Sequence, residues 1–249
     1  MPALAVAVWF AASQGSESPY FPPLSMILSI IPRDFIAAGH LVSDLLPSLL
    51  VVIAGVAIAA AVGIVGGYLI AQSRFALAVT RPVIDAFRAV PAVALVPVAI
   101  VILGPGFSSE IALVSLASLW PILLNTIAGV SGVEPTYKEV ARLSRLSAWD
   151  RFSRIILPAA MPAIMAGIHT SIGLAVIVMV TMEMFASTEG IGRYLINAQR
   201  SFAIPVSFAG AIVVGVMGYL LAVAFGAFER FALRWYFERQ GVVHAKENR

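Results

Sequence analysis

Five long stretches of this chain contain no charged residue, and they constrain its fold more than any other feature. They cover residues 45–73, 89–109, 111–133, 155–182 and 201–228. Each reaches the roughly 20 residues that an α-helix needs to cross about 30 Å of hydrocarbon. Because lipid cannot satisfy exposed backbone N–H and C=O groups, such stretches cross it as helices. Only 12% of the residues are charged, about half the share in a soluble domain. The sequence therefore predicts an all-α fold, a polytopic transmembrane helical bundle.

The five spans are predicted at Leu45–Ala71, Val83–Leu103, Ile111–Val130, Pro162–Ala186 and Ile204–Phe228. The N-terminal region has two interpretations. Residues 3–12 are apolar but too few to span, and the prolines within 19–23 interrupt any helix that follows. This run is either part of a shortened first span or a signal-like segment, and the lack of preceding basic residues argues against a signal peptide. We therefore expect five clear spans and a shortened N-terminal one, in a single transmembrane domain over residues 1–249.

Lysine and arginine are distributed unevenly between two sets of loops. Twelve of the sixteen lie in segments 72–82, 131–161 and 229–249, whereas three lie in segments 13–44, 104–110 and 187–203. Loops that stay in the cytoplasm are enriched in basic residues. We therefore expect loop 131–161 and tail 229–249 to be cytoplasmic, and segments 104–110 and 187–203 to be external.

The sequence also argues against several classes of protein. It has no cysteine, and its histidines at 40, 169 and 244 lack the spacing of metal ligands. It contains neither the phosphate-binding pattern G-x-x-x-x-G-K-[ST] nor the hydrolase patterns G-x-S-x-G and H-E-x-x-H. The basic residues flank apolar spans and form no long basic face, so nucleic acid is not an expected partner. We expect no catalytic residue, no metal site and no cofactor in this chain.

The most regularly patterned polar segment lies in the cytoplasmic loop. Ser147 and Asp150 have the spacing of a capping box, which predicts a helix that begins there. Its apolar side chains form one stripe, made of Trp149, Phe152, Ile155 and Ile156. Leu157-Pro158 is expected to end the helix before the next span. The pattern allows two interpretations, a helix lying on anionic lipid or a helix that docks into a groove of a soluble partner.

Three groups of residues carry a resemblance to a known family. The first is Glu139, Ala141, Phe152, Ile156, Leu157 and Pro158. The second is Pro82, Arg88, Pro91, Pro97 and Gly104-Pro105-Gly106, and the third is Glu183-Met184 with Gly190-Ile191-Gly192. Together they resemble the permeases of binding-protein-dependent ABC transporters, in particular the nitrate/sulfonate/taurine branch, and the first group is similar to the EAA loop of that family. There are three departures from the family. Arg145 stands where the family usually has glycine, Val140 stands at the second alanine of the motif, and the first span is shortened.

The resemblance implies a type I importer of the MetI-like fold in the bacterial inner membrane. The loop would be its coupling helix, which sits in a cleft of a separate cytoplasmic ATPase. The implied coupling residues are Glu139, Ala141, Arg145, Ser147, Trp149, Phe152, Ile156, Leu157 and Pro158. ATP and Mg would then be bound by the ATPase, expected in two copies. The other implied partners are a periplasmic or extracellular substrate-binding protein, a second copy of the permease and membrane lipid.

Three charged residues lie inside or at the edge of the predicted spans. Asp85 and Arg88 are three residues apart on one helix face. They are either a mutually neutralising pair or, for Arg88, an anion contact in the translocation path. Glu183 lies 21 residues after Pro162, about 32 Å along a helix at 1.5 Å per residue, and therefore near the outer face. It is either paired with Arg193 or Arg200, or part of an outer gate.

The resemblance implies a small anion as the solute, such as a sulfonate, taurine or nitrate. One alternative is a permease of the same fold for a non-anionic solute, such as a pyrimidine precursor. A membrane enzyme is a second alternative, but no cluster of catalytic residues supports it. The third is a membrane scaffold whose loop only binds lipid. Association with an ATPase distinguishes the permease from the last two.

Overall fold

The computed structural model describes residues 2–16, 18, 20–134, 136, 144, 146–234 and 236. Over this part of the chain the regular structure is helical, which confirms the predicted fold class. Four helical stretches are long and apolar enough to cross a membrane: Leu41–Ala71, Phe107–Ser131, Ala148–Ala186 and Ile204–Ala232. A fifth span exists if the bent pair Arg74–Ala89 and Ala92–Leu103 is counted as one.

The helices follow one another in the order expected from the charge-free windows. They are α1 (Pro2–Ser13), α2 (Leu24–Ile31), α3 (Leu46–Ala71), α4 (Arg74–Ala89), α5 (Val96–Leu103), α6 (Phe107–Ser131), α7 (Ala148–Arg151), α8 (Leu157–Ala186), α9 (Ile191–Arg200) and α10 (Ile204–Ala232). Short π-helical segments occupy Pro32–Ala37, Leu41–Leu45 and Phe152–Ile156, and a 3₁₀ turn occupies Ala92–Leu95. Neither α1 nor α2 is long enough to span a bilayer.

The predicted span Val83–Leu103 is wrong as a single helix. Helix α4 ends at Ala89, and Val90 is extended, with φ −74° and ψ 119°. The cause is Pro91, because the ring of a proline clashes with an α-helical residue before it. The second proline, Pro97, lies in the first turn of α5, where its missing N–H costs nothing.

The described chain packs as two compact units, and the long helices contribute to both. The first unit consists of residues 1–54, 92–114 and 176–219. One of its apolar clusters joins the N-terminal region to α10: Leu24, Ile27 and Ile30 of α2 bury against Ala209, with Trp9 and Phe208 beside them. The Trp9 and Phe208 rings are 6.2 Å apart, which anchors α1 to the same helix.

The second unit consists of residues 55–91, 115–175 and 220–249. Helices α3 and α6 approach closely in it, because Gly63 and Gly67 face α6. A Cβ added at Gly67 would lie 2.7 Å from Thr126 Cβ, which real side chains do not tolerate. Small residues at such contacts allow backbones to pack tightly in membranes. Helix α4 joins this unit through Ile84, which buries against Leu123 and Ile127 of α6.

Candidate functional site

The helix predicted in the cytoplasmic loop begins at the predicted residue. Ser147 Oγ accepts a hydrogen bond from the Asp150 N–H at 3.1 Å and donates one to Asp150 Oδ2 at 2.6 Å. This confirms Ser147 as the N-cap, while Asp150 bonds to the Ser147 hydroxyl rather than to its backbone N–H. Asp150 also pairs with Arg154, at 3.1 Å between Oδ1 and Nε. The N-terminal end of the segment is therefore fixed by its own side chains before any partner binds.

The predicted end of this helix at Leu157-Pro158 is wrong. Helix α7, the π-helical turn Phe152–Ile156 and α8 form one continuous helical stretch from Ala148 to Ala186. The Leu157 N–H bonds to the Phe152 carbonyl, five residues back. Pro158 thus lies where pairing changes from i−5 to i−4, and there its missing N–H interrupts no regular α-helical bond. As a result, the amphipathic segment is a direct extension of a membrane span.

The apolar stripe of this segment has two differently placed parts. Ile156 is 3% exposed and belongs to a cluster with Val130, Ala160 and Ile164. The Phe152 ring lies 4.4 Å from the ring of Tyr68 on α3. Both side chains therefore pack within the second unit.

Trp149 differs from the rest of the stripe. Its ring contacts Phe152 at a centroid distance of 5.7 Å, yet the residue is 72% exposed. Within the segment from Ser147 to Ile156 it is the large apolar side chain that stays exposed. Three other predicted coupling residues, Glu139, Ala141 and Arg145, lie outside the described residues.

Asp85 and Arg88 form the ion pair that one of the two interpretations requires. Arg88 Nε lies 2.9 Å from Asp85 Oδ1, and both side chains are about half exposed. The pair lines a cavity of about 400 Å³ between α4 and α6, together with Arg81 and Ser131. Arg88 is therefore paired and also lines a cavity, and its contact with an anion stays a prediction.

Glu183 lies three residues before the end of α8. It is 1% exposed, and its Oε2 accepts a hydrogen bond from the Gly192 N–H at 2.8 Å. The expected pairing with Arg193 or Arg200 does not occur among the described ion pairs. Arg193 instead donates to the Thr188 carbonyl. Glu183 thus fixes the loop that leads from α8 into α9.

The same loop is fixed from a second side. The Ile191 N–H donates to Ser48 Oγ at 2.9 Å, and Ser48 Oγ donates to the Asp44 carbonyl at 2.9 Å. Ser48 belongs to α3, so the motif Gly190-Ile191-Gly192 connects two spans of the first unit. The resemblance identified this motif in the sequence, and the geometry supplies a structural role for it.

Sequence reasoning missed a polar cavity of about 540 Å³ in the first unit. It is lined mainly by the π-helical turn at 41–45, by α9 and by loop residues before α9, among them His40, Asp44, Glu189, Arg193 and Asn197. His40 Nδ1 lies 2.6 Å from Asp44 Oδ2. The four-residue spacing of that pair was a signal in the sequence, but the contribution of α9, some 150 residues later, was not.

A hydrogen-bonded pair lies beside this cavity. The Tyr194 hydroxyl donates to Asp34 Oδ2 at 2.9 Å, and Arg33 Nε donates to Asp34 Oδ1 at 2.9 Å. Burial alone would raise the pKa of Asp34, but the hydrogen bonds from Arg33 and Tyr194 outweigh it and hold that pKa below its ordinary value of 3.8. Burial, and then the bond to Asp34, raise the pKa of Tyr194 well above its usual range.

Apolar helices long enough to cross a membrane, one of which extends into a capped amphipathic segment with an exposed tryptophan, define an integral membrane protein. Comparison with known proteins identifies the kind of membrane protein. Residues 63–234 match the family model described as "Binding-protein-dependent transport system inner membrane component". The chain belongs to this family, the multi-pass permease component of ABC importers in the inner membrane. Membership implies an ATPase and a substrate-binding protein as partners.

Curated relatives and solved structures agree with this assignment. The chain is 32% identical to a nitrate import permease protein of Synechocystis sp. (strain ATCC 27184 / PCC 6803 / Kazusa), over 88% of this chain and 84% of the relative. It is 30% identical to the taurine transport system permease protein of Escherichia coli (strain K12), over 93% and 86%. The fold is similar to a chain of the inward-facing MetNI methionine ABC transporter, with a TM-score of 0.65 at 15% identity, over 77% of this chain and 95% of that chain.

Proposed function

We propose that this permease forms the translocation path for a small anion, such as a sulfonate, taurine or nitrate, and that a separate ATPase drives it through the segment that begins at Ser147. Two permease copies would bind two ATPase subunits, which hold the ATP and Mg. A periplasmic or extracellular binding protein would deliver the solute. ATP-driven closure of the ATPases would then move the permease between its inward- and outward-open states.

One observation carries the coupling part of this proposal. Trp149 is exposed on a helix that continues without a break into α8. A force applied at Trp149 would therefore reach the membrane span through continuous helical hydrogen bonding. An exposed apolar side chain on an ordered, capped helix is also the kind of anchor that partner proteins bury.

The coupling proposal is tested by Trp149→Ala. Truncation of an interface anchor typically costs about 2 kcal/mol or more, so ATPase association should weaken by well over tenfold. Solute uptake and solute-stimulated ATP hydrolysis should fall with it, while the amount of permease in the membrane stays the same. Phe231→Ala is the matched control, because Phe231 is also 72% exposed but lies at the end of α10.

The alternative in which the segment only lies on lipid makes a different prediction. In that case Trp149→Ala would leave ATPase association and uptake unchanged, and would instead release the segment from liposomes. A loss of ATPase association in Phe231→Ala equal to that in Trp149→Ala would also contradict the proposal, because the effect would then not be specific to this segment.

The substrate class rests on the relatives and on Arg88. Two relatives are named for nitrate and taurine, both of which carry an anionic group, and Arg88 lines a cavity beside a span. Uptake of the labelled anion should therefore be inhibited by unlabelled taurine or nitrate. An uncharged pyrimidine precursor should not affect it. Inhibition by the pyrimidine alone would favour the alternative permease for a non-anionic solute.

Arg88 and Glu183 receive separate tests as residues of the proposed path. Arg88→Gln should reduce anion uptake while membrane levels stay nearly intact, if Arg88 contacts the solute. Loss of the protein from the membrane would instead show that the pair with Asp85 is mainly structural. Glu183 would act on the path indirectly, as the residue that positions the loop after α8.

A further inference from the structure

We infer that the cavity between α4 and α6 binds the phosphate-containing headgroup of an anionic phospholipid. The walls of this cavity combine positive charge with apolar surface. Helix α4 contributes Leu77, Arg81, Ile84, Asp85 and Arg88, and α6 contributes Leu124, Ile127, Ala128 and Ser131. Its volume of about 400 Å³ is that of a small-ligand pocket.

The described residues leave part of the positive charge of the cavity unbalanced. Arg88 is paired with Asp85, but the ion pairs found in the described part of the chain include none for Arg81. A guanidinium at the cytoplasmic end of a span attracts the anionic groups of the membrane surface. A phosphate is a fitting compensator, because the planar guanidinium can donate two hydrogen bonds to two of its oxygens.

The arginines of α4 form one row. Arg74, Arg81 and Arg88 are seven residues apart, so they fall within about 40° of one another on the helix at 100° per residue. Arg81 and Arg88 lie about 10 Å apart along the axis at 1.5 Å per residue. A headgroup that binds Arg81 therefore has a second arginine nearby along the helix on each side, Arg74 on one side and Arg88 on the other.

The cavity walls offer a surface for acyl chains, because Leu77, Ile84, Leu124 and Ile127 line it beside the arginines. A second apolar surface lies on the opposite face of α4, where exposed side chains recur every four residues at Phe75, Val79, Val83 and Phe87, about 180° from the arginine row at 100° per residue. A ligand with both an anionic head and apolar chains matches a cavity of arginines and apolar walls, whereas a small free anion uses only the arginines.

The position of the cavity agrees with a lipid ligand. Ser131 is the last residue of α6, and Arg81 is the eighth residue of α4, about 10 Å along the axis from Arg74. The charge distribution predicts that both lie at the cytoplasmic end of their spans. The cytoplasmic leaflet carries the anionic lipids, and basic pockets between spans on that side bind anionic headgroups.

The test uses the full-length permease in detergent, titrated with mixtures of phosphatidylglycerol and phosphatidylcholine and examined by native mass spectrometry. The wild-type chain should retain phosphatidylglycerol in preference to phosphatidylcholine. Arg81→Gln should lower phosphatidylglycerol retention by about fivefold, the effect of one basic residue near an anionic lipid. Arg81→Lys should keep most of the preference, since it retains the charge. The variant should fold normally, because Arg81 is exposed.

Arg230→Gln is the matched control. It removes the same charge near the end of α10 but does not line the cavity. Phosphatidylglycerol retention should be unchanged in this variant. An equal loss in Arg81→Gln and Arg230→Gln would overturn the site, because it would show only general electrostatic attraction.

One further outcome would overturn the lipid assignment. Displacement of phosphatidylglycerol by millimolar taurine or nitrate, with retention unaffected by chloride, would assign Arg88 and its cavity to the transported anion. Failure of either proposed solute to be transported would leave the lipid measurement itself unaffected.

Discussion

At the scale of single residues, Gly190 is needed for its backbone conformation and its lack of a side chain, not for any chemical group. Its φ is +107°, and a Cβ there would lie 2.6 Å from both carboxylate oxygens of Glu183. Gly106 has nearly the same φ, +110°, but no atom within 4 Å of an added Cβ. Gly106→Ala should therefore cost only the backbone strain, about 1–3 kcal/mol. Gly190→Ala should cost roughly 1–3 kcal/mol more, because the alanine methyl group overpacks the site.

Thermal unfolding in detergent measures this difference. Gly190→Ala should have the lower melting temperature by several degrees, since about 1 kcal/mol shifts a chain of this size by about 2–4 °C. Equal melting temperatures for the two variants would show that Glu183 moves away at little cost. In that case the hydrogen bond between Glu183 of α8 and Gly192 of α9 would hold the two helices together less strongly than its geometry indicates.

Tyr194 and Asp34 make stability depend on pH. The folded-state pKa of Asp34 is lowered. The contribution of ionised Asp34 to the free energy of unfolding is therefore complete above the ordinary pKa of 3.8, and it is lost as the pH falls through the folded-state pKa. Tyr194→Phe should destabilise the protein by roughly 1.5–3 kcal/mol at pH 7, the usual range for a hydrogen bond to a charged group. The difference in free energy of unfolding between Tyr194→Phe and wild type should become smaller below about pH 4, because Asp34 becomes protonated.

Melting temperatures between pH 3 and pH 7 test this prediction. Tyr219→Phe is the control, because Tyr219 is 68% exposed and its variant should follow the wild-type profile. A constant difference between Tyr194→Phe and wild type over the whole range would mean that the ionised form of Asp34 is not what the hydroxyl stabilises.

At the scale of elements, the contact between Phe152 and Tyr68 joins the amphipathic segment to α3. The sequence predicted that Phe152 faces a partner, but its ring has an intramolecular neighbour at 4.4 Å. Phe152→Ala should therefore reduce the stability of the permease itself, by about 1–3 kcal/mol for a partly buried ring. A double-mutant cycle with Tyr68→Ala should give a coupling energy of about 0.5–1.5 kcal/mol. Strict additivity in thermal unfolding would show that the two rings do not interact.

The elements also show which features of the fold could be predicted from sequence. Long windows without charge define spans, because the cost of a charge in lipid is local to its own helix. Prolines are harder to interpret: Pro91 ends α4 whereas the helix continues through Pro158, and the difference lies in the π-helical turn before Pro158. The contact of Glu183 with Gly192 depends on how two helices meet after a loop, which periodicity does not encode.

At the scale of the whole molecule, the distribution of charge connects the separate proposals. The ATPase proposal requires Trp149 to face the cytoplasm, and the lipid proposal requires Arg81 to lie near the inner leaflet. Both follow from one observation, the twelve basic residues on one side against three on the other. An inverted orientation would therefore remove the physical basis of both.

The orientation is directly measurable, because the natural chain has no cysteine and gives no background with thiol reagents. Thr188→Cys should be labelled from outside intact cells by a membrane-impermeant maleimide, since Thr188 is exposed and lies in a segment predicted to be external. Ser147→Cys should be labelled only after the membrane is made permeable. Strong labelling of Ser147→Cys in intact cells would contradict the orientation. It would also exclude coupling through Trp149, because a cytoplasmic ATPase could not reach a side chain on the external surface.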